Sequence, residues 1–306
     1  MRGGHLSAPV YLQVRHQTAY AYAGSVAHAH HLLHLTPRES DTQLCREHSL
    51  EIWPTPVLCM QHVDAFGNQA TRVELDRSHE GFEVSARMKI ELLPRPFLAA
   101  DATLPWEQVR DSLHYTAAPT DPTRLEALRY RTQSTFVPVK RVFEHYAATC
   151  FDAGTPILVG ALALMQKIHT EFTYTRGATH IGTSLREVLE RRQGVCQDYA
   201  HFMIACLRSL GLPARYISGY LRTGVEAGES SPGRLGTDAS HAWLAVFAPP
   251  FEWVELDPTN NLQVDQEHVA LAWGRDFGDV SPLRGVILGG GAHSLEVGVA
   301  MQPWNT

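Results

Sequence analysis

Residues 194–201 read Gly-Val-Cys-Gln-Asp-Tyr-Ala-His and place Cys196 two residues after a glycine, at the start of a helical pattern. The N-terminus of a helix presents unpaired N–H groups and about half a positive charge. Both stabilise a thiolate, which is the nucleophilic form of cysteine. The segment therefore predicts a nucleophilic cysteine, and a buried structural thiol is the alternative interpretation.

Helical and extended patterns surround this segment. A helix is predicted from Cys196 until Gly211 and Pro213, because apolar side chains recur at helical spacing on one face. Those side chains are Tyr199, Met203, Cys206, Leu207 and Leu210. Upstream, one helix is predicted over residues 155–172, and a capping box at residues 184–187 predicts a second. Downstream, a strand over residues 214–222 precedes a polar loop over residues 223–239.

Two further strands, residues 241–248 and 252–259, are predicted to form a hairpin around Pro249-Pro250. A loop centred on these prolines would place His241 opposite Asp257 or its neighbour, on one face and with Cβ atoms about 4.5–5.5 Å apart. A carboxylate there can orient an imidazole, which in turn exchanges a proton with a thiol. Cys196, His241 and Asp257 are therefore a candidate nucleophile, base and orienting acid. An ordinary strand histidine and a turn aspartate are the structural alternatives.

The rest of the chain predicts an α+β protein with two domains. Residues 1–100 alternate apolar and polar side chains between turn residues, which indicates an N-terminal β domain resembling a sandwich or barrel. Residues 101–153 contain prolines and short helical patterns, and we interpret them as a helical connector. Residues 154–306 are predicted to form the catalytic core.

The composition predicts a globular protein without electrostatic attraction for nucleic acid or anionic membranes. Hydrophobic residues make up 44% of the 306 residues, and the net charge is −6. The N-terminus lacks the apolar region of a signal peptide, and the longest apolar stretch, residues 157–165, is too short to span a bilayer. We therefore expect a soluble cytoplasmic protein. The five cysteines, an odd number without a CxxC pair, indicate neither a disulfide framework nor a zinc site.

Several segments together resemble the core of the transglutaminase-like superfamily. They are residues 194–201, 212–221, 240–246 and 253–261, with a tail over residues 272–282. His34-Leu-Thr-Pro-Arg38 and Asp64-Ala-Phe-Gly-Asn68 also resemble the β domain that precedes the core in bacterial members. The resemblance covers nearly the whole chain.

This resemblance implies a papain-like core in which Cys196 attacks an amide carbonyl, His241 acts as base and Asp257 orients His241. An oxyanion needs hydrogen-bond donors. The N–H of Cys196 at the helix start is one candidate, and the resemblance implies Tyr174 as another, because superfamily members use Tyr or Trp at that place. No cofactor and no metal is implied.

The superfamily includes cross-linking transglutaminases, cysteine peptidases, amidases and inactive relatives, and the three residues do not distinguish them. We expect a cysteine peptidase or amidase that acts on a peptide or protein substrate through a thioester. The alternatives are a protein-glutamine transglutaminase with an amine acceptor, and a catalytically weak module that binds a peptide or protein. The oligomeric state is left open.

Other polar residues near the motifs have structural interpretations. Asp198 is expected to interact with the helix N-terminus, and His201 is expected to pack or to lie on the surface. Arg215 should make a contact between strand and helix. Asn260 and Asn261 are expected near Asp257, where they would satisfy backbone groups.

Two remaining motifs attract a functional interpretation that we do not favour. His28, His30, His31 and His34 suggest a metal site, but no Cys, Asp or Glu completes a ligand set within the motif. The three glycines at residues 289–291 lack the strand and helix of a phosphate-binding loop. They are instead predicted to form a tight turn between late strands.

Overall fold

The computed structural model describes residues 8–96, 98–114, 121–222 and 240–304, so the polar loop predicted over residues 223–239 lies outside the described residues. The strands are β1 (Val10–Leu33), β2 (Gln43–Trp53), β3 (Leu58–Val63), β4 (Gln69–Leu75), β5 (His79–Leu92), β6 (Thr173–Tyr174), β7 (Gln193–Gly194), β8 (Ala214–Leu221), β9 (His241–Phe247), β10 (Trp253–Asp257), β11 (Leu262–Gln263), β12 (His268–Gly274), β13 (Leu283–Gly289) and β14 (His293–Pro303). The helices are α1 (Trp106–Ser112), α2 (Pro122–Arg129), α3 (Arg141–Ala148), α4 (Ile157–Glu171), α5 (Leu185–Arg191), α6 (Cys196–Ser209) and α7 (Phe277–Val280).

The first sheet is organised around the long strand β1. Residues 10–21 of β1 pair with β5 and residues 12–22 with β14, whereas residues 29–33 pair with β4 and residues 26–33 with β13. All of these pairings are antiparallel. β13 and β14, which lie within the predicted core of residues 154–306, therefore pair with the long strand of the N-terminal sheet. A contact between the two ends of a chain leaves no local signal in the sequence.

The turn between β13 and β14 contains the three glycines at residues 289–291. All three have positive φ angles, 102°, 82° and 66°, which glycine adopts without a steric penalty. The predicted tight turn is confirmed.

The second sheet has the order β11-β10-β9-β8-β12 and is antiparallel. α6 packs against β8 and β9, and α3, α4 and α5 pack on α6. Every residue of α6 from Asp198 to Arg208 is buried, so this helix lies at the centre of the core. The predicted α+β fold class is confirmed.

Residues of the predicted helical connector also belong to this core. Val109 of α1, Ala127 of α2 and Phe143 of α3 are buried in the same apolar cluster as α6. These helices form, and they pack against the apolar core that contains α6. None of the described helices is both long enough and apolar enough to cross a membrane.

The two sheets meet along β12, the edge strand of the second sheet. The side-chain amide of Gln43 donates to the carbonyl of Ala270 and accepts from its N–H, both at 2.8 Å. Asn68 makes the same pair of bonds to Trp273, at 2.9 and 3.0 Å. Two side chains thus provide part of the hydrogen bonding that a neighbouring strand would supply, which protects the edge.

The close approach of β12 to β8 predicts that a side chain is not tolerated at Gly219 of β8, which lies opposite His241 of β9. A Cβ atom there would lie 2.1 Å from the carbonyl oxygen of Val269 and 2.5 Å from the ring of Trp243. We expect Gly219→Ala to lower the free energy of unfolding by about 3 kcal/mol, because a backbone atom of β12 must move. Urea unfolding measures the loss. Gly298→Ala in β14, where a Cβ meets nothing within 4 Å, is the control and should change stability by less than about 0.5 kcal/mol. Equal effects of the two variants would contradict this prediction.

Candidate active site

Cys196 is the first helical residue of α6, and its position is fixed by a small hydrogen-bonded group. Oδ2 of Asp198 accepts from the N–H of Val195 at 2.8 Å and from the hydroxyl of Thr179 at 2.6 Å. A Cβ atom on Gly194 would lie 2.7 Å from the Asp198 side chain, so a glycine is needed there. The structural interpretation of Asp198 is confirmed.

His241 and Asp257 meet through a hairpin whose register differs from the predicted one. Trp253 pairs with Phe247 and Leu256 with Leu244. Continuing this register places Asp257 beside Trp243, with His241 two residues away on the same face. The difference arises because the N–H of Ala248 bonds the carbonyl of Glu252, which gives a three-residue loop centred one position later than assumed. Side chains that are diagonal on one face still meet.

The predicted contact between the two side chains is present despite this shift. Nε2 of His241 lies 2.8 Å from Oδ2 of Asp257, and both side chains are fully buried. Nδ1 is therefore the ring nitrogen left for the thiol of Cys196. Burial lowers the pKa of His241, but the carboxylate of Asp257 and the neighbouring Cys196 raise it more, to about 10. A positively charged imidazole at neutral pH favours a thiolate beside it.

The carboxylate of Asp257 accepts five hydrogen bonds. Oδ1 accepts from the backbone N–H groups of Thr259 at 2.9 Å and Asn260 at 3.2 Å. Oδ2 accepts from His241, from the side-chain amide of Asn260 at 2.7 Å and from Nε2 of His268 at 3.2 Å. Burial raises the pKa of the Asp257 carboxyl, but His241 and His268 outweigh it and hold the pKa well below its usual range.

A cavity of about 350 Å³ exposes the thiol end of this arrangement. Cys196, His241 and Tyr174 all line it, so the structure brings the proposed nucleophile, base and oxyanion donor to one place. The parallel pairing of β6 with β7 holds Tyr174 beside Gly194. The oxyanion role of Tyr174 stays a prediction. The other lining residues are Arg176, Val195, Gln197, Tyr216, Ser218, Ser240, Ala242 and Phe277.

Two residues with structural interpretations are confirmed as structural. His201 is buried, its ring stacks on Phe136, and burial lowers its pKa to about 3, which keeps the ring neutral. Arg215 of β8 forms an ion pair with Glu126 of α2 at 3.1 Å, the expected contact between strand and helix.

The two asparagines after Asp257 differ in their contacts. Asn260 hydrogen-bonds the carboxylate of Asp257 directly, through both its backbone and its side chain. The side chain of Asn261 donates to Gln166 of α4 at 2.6 Å. Of the two, Asn260 is the one that orients the candidate acid.

His268, at the start of β12, was missed by sequence reasoning. Its ring contacts the same carboxylate oxygen as His241, although no motif includes it. Among the residues that the structure describes, one group of three offers metal-ligand atoms within 4.8 Å of one another: His241, Asp257 and His268. A metal there would replace the hydrogen bonds that orient His241, so the absence of a metal stays our prediction.

The histidines near the end of β1 have separate environments. His30 lies 3.5 Å from Glu74 at the surface, whereas His31 is buried and stacks on Phe82. His34 is buried and bonds the carbonyl of Ser281 at 3.2 Å. His31 and His34 are therefore part of the packing of the first domain.

Known protein families match both parts of the chain. A family model described as the bacterial transglutaminase-like N-terminal region matches residues 12–91, and a transglutaminase-like superfamily model matches residues 144–258. An uncharacterized protein of Mycobacterium tuberculosis is 34% identical over 307 residues, which cover 95% of this chain and 92% of that protein.

A second relative carries a functional name. A protein-glutamine gamma-glutamyltransferase of Pseudomonas aeruginosa is 31% identical over 138 residues, which cover 40% of this chain and 20% of that protein. The crystal structure of a proposed cysteine protease from Cytophaga hutchinsonii has the same fold. It aligns with a TM-score of 0.73 at 18% identity, over 98% of this chain and 92% of that chain.

The structural role of Asp198 generates a prediction. Asp198→Ala removes the acceptor for Val195 and Thr179, so we expect the free energy of unfolding to fall by about 1 kcal/mol. Asp198→Asn keeps an acceptor oxygen and removes a carboxylate whose pKa is raised by burial, so its stability should stay within about 0.5 kcal/mol. Urea unfolding at pH 7 compares them, and an equal loss in both variants would show that the charge itself is required.

Proposed function

Because the chain belongs to the transglutaminase-like superfamily, we propose that it is a cysteine-dependent acyl-transfer enzyme that acts on amide bonds. The observation that carries the proposal is the buried 2.8 Å contact between His241 and Asp257, at a cavity that Cys196 also lines. A nucleophile, a base and an orienting acid are the parts that such chemistry requires.

In the proposed reaction the thiolate of Cys196 attacks the carbonyl carbon of an amide. The C–N bond breaks and His241 gives its proton to the leaving amine, so that a thioester forms on Cys196. Water or a second amine then attacks the thioester carbon while His241 takes up its proton, and the C–S bond breaks to release the acyl product and return the thiolate of Cys196. The N–H of Cys196 and the hydroxyl of Tyr174 are the proposed donors to the oxyanion.

We favour water as the acceptor, which makes the enzyme a peptidase or amidase. None of the described residues that line the cavity carries a carboxylate that could pair with the ammonium group of a lysine. A lysine amine would therefore approach the thioester with no carboxylate to bind or deprotonate it, whereas water needs only His241 as its base. The proposed substrate is a peptide or protein, and the cytoplasmic location stays a prediction.

Transfer to an amine is the second candidate. Its support is the 31% identity to a protein-glutamine gamma-glutamyltransferase, in a segment that covers 40% of this chain. Both reactions begin with the same acylation step and differ only in the molecule that attacks the thioester.

The acylation machinery is tested by alkylation of Cys196 with iodoacetamide, followed by peptide mass spectrometry from pH 5 to 9. We expect Cys196 to react at pH 6 at least about tenfold faster than Cys45 or Cys150, because the pKa of His241 near 10 keeps its ring charged beside the thiolate. His241→Ala should abolish this reactivity at pH 6. Slow modification of Cys196 in the wild-type protein would instead favour a binding module.

The choice of acceptor is tested with peptide, isopeptide and glutamine substrates, in the presence and absence of a labelled primary amine. We expect hydrolysis products to exceed amine-labelled products, and Asp257→Asn to lower kcat/KM by about 10³-fold. Cys196→Ala is the inactive control. Predominant incorporation of the amine would replace hydrolysis by transamidation as the function.

A further inference from the structure

A second imidazole binds the carboxylate that orients His241. Nε2 of His268 lies 3.2 Å from Oδ2 of Asp257, and Nδ1 lies 3.1 Å from Oδ1 of Asp265. The ring of His268 is completely buried, whereas the side chain of Asp265 is 44% exposed. A continuous path of polar contacts therefore runs from the protein surface through His268 and Asp257 to His241.

The contacts of His268 are those of an oriented ring. Each ring nitrogen faces a carboxylate oxygen, one of Asp257 and one of Asp265, so the two contacts together set the orientation of the ring. The carboxylate of Asp265 is itself held in place, because its Oδ1 accepts from the N–H of Glu267 at 3.0 Å. The ring of His268 is thus fixed from both sides.

The other groups around His268 leave these two contacts undisturbed. The ring of His241 lies 6.0 Å away and the ring of Trp243 packs edge-on at 5.2 Å. The indole N–H of Trp243 is directed to Glu255, and the carboxylate of Glu267 pairs with Arg222. Asp257 and Asp265 are therefore the charged groups to which the ring is hydrogen-bonded.

We propose that His268 is a positioning residue of the active site. Held by Asp265, its imidazole fixes the carboxylate of Asp257, and that carboxylate in turn fixes the ring of His241 towards Cys196. His268 lies outside residues 144–258, the segment matched by the superfamily core model. This inference rests on the proposed function, since it concerns how the charged His241 is held beside the nucleophile.

The test uses the alkylation rate of Cys196 at pH 6 divided by its rate at pH 9. A variant that only makes the thiol more or less accessible changes both rates by the same factor and leaves this ratio unchanged. His268→Leu removes both hydrogen bonds, and we expect the ratio to fall about tenfold. His268→Gln keeps an N–H donor for Asp257, so the ratio should stay within about threefold of wild type. A residue that only fills space would give the opposite order, because leucine packs better than glutamine in an apolar site.

Asp265→Asn and Glu267→Gln form a matched pair. Both remove a carboxylate from the same turn, but only Asp265 faces the ring of His268. We expect the ratio to fall about threefold in Asp265→Asn and to stay unchanged in Glu267→Gln. This pair of variants tests the positioning role of His268 if circular dichroism shows that His268→Leu does not fold.

Three outcomes are separable. If Cys196 of the wild-type protein does not react at pH 6, the proposed function is contradicted, and so is the inference that rests on it. A reactive wild-type Cys196 whose ratio is unchanged in His268→Leu overturns the inference and leaves the proposed function standing. If His268→Leu does not fold, equal ratios in Asp265→Asn and Glu267→Gln overturn it in the same way.

Discussion

The buried carboxylate of Asp257 is the constraint that organises the site. An ionised carboxylate without solvent is stable only when its oxygens are hydrogen-bonded, and Asp257 receives five such bonds. Three come from the turn that follows β10, and two come from imidazoles on β9 and β12. The turn and the strands β9, β10 and β12 must therefore be in their native positions before the carboxylate of Asp257 receives all of these hydrogen bonds. The orientation of His241 is a consequence of that requirement.

The N-terminal sheet contributes to this arrangement at a distance. None of the described residues that line the cavity comes from it. It instead covers the edge of β12, where the amide of Gln43 bonds the backbone of Ala270, two residues after His268. A strand whose edge is paired holds its side chains in a fixed register. The first domain thus supports the candidate site by holding the strand that carries His268.

The features that the sequence predicted correctly depend on local patterns. The spacing of apolar residues predicted the helix α6, although the structure buries it on every side from Asp198 to Arg208 and not on one face alone. The segment from Gly194 to Asp198 marked the start of that helix. The contact between His241 and Asp257 was also predicted, although its register was displaced because loop geometry depends on hydrogen bonds such as that between Ala248 and Glu252. The pairing of β13 and β14 with β1 and the place of His268 could not be predicted. Both depend on contacts between segments with no shared motif.

The shared carboxylate also bears on how the three side chains work together. Asp257 must attract the proton of His241 strongly enough to keep the ring charged beside a thiolate, yet the ring must release a proton to a leaving amine. A second donor on the same oxygen, Nε2 of His268, holds that oxygen from a different strand than the one that carries His241. It therefore keeps the carboxylate from rotating, so that the ring of His241 stays turned towards Cys196 while its proton is transferred.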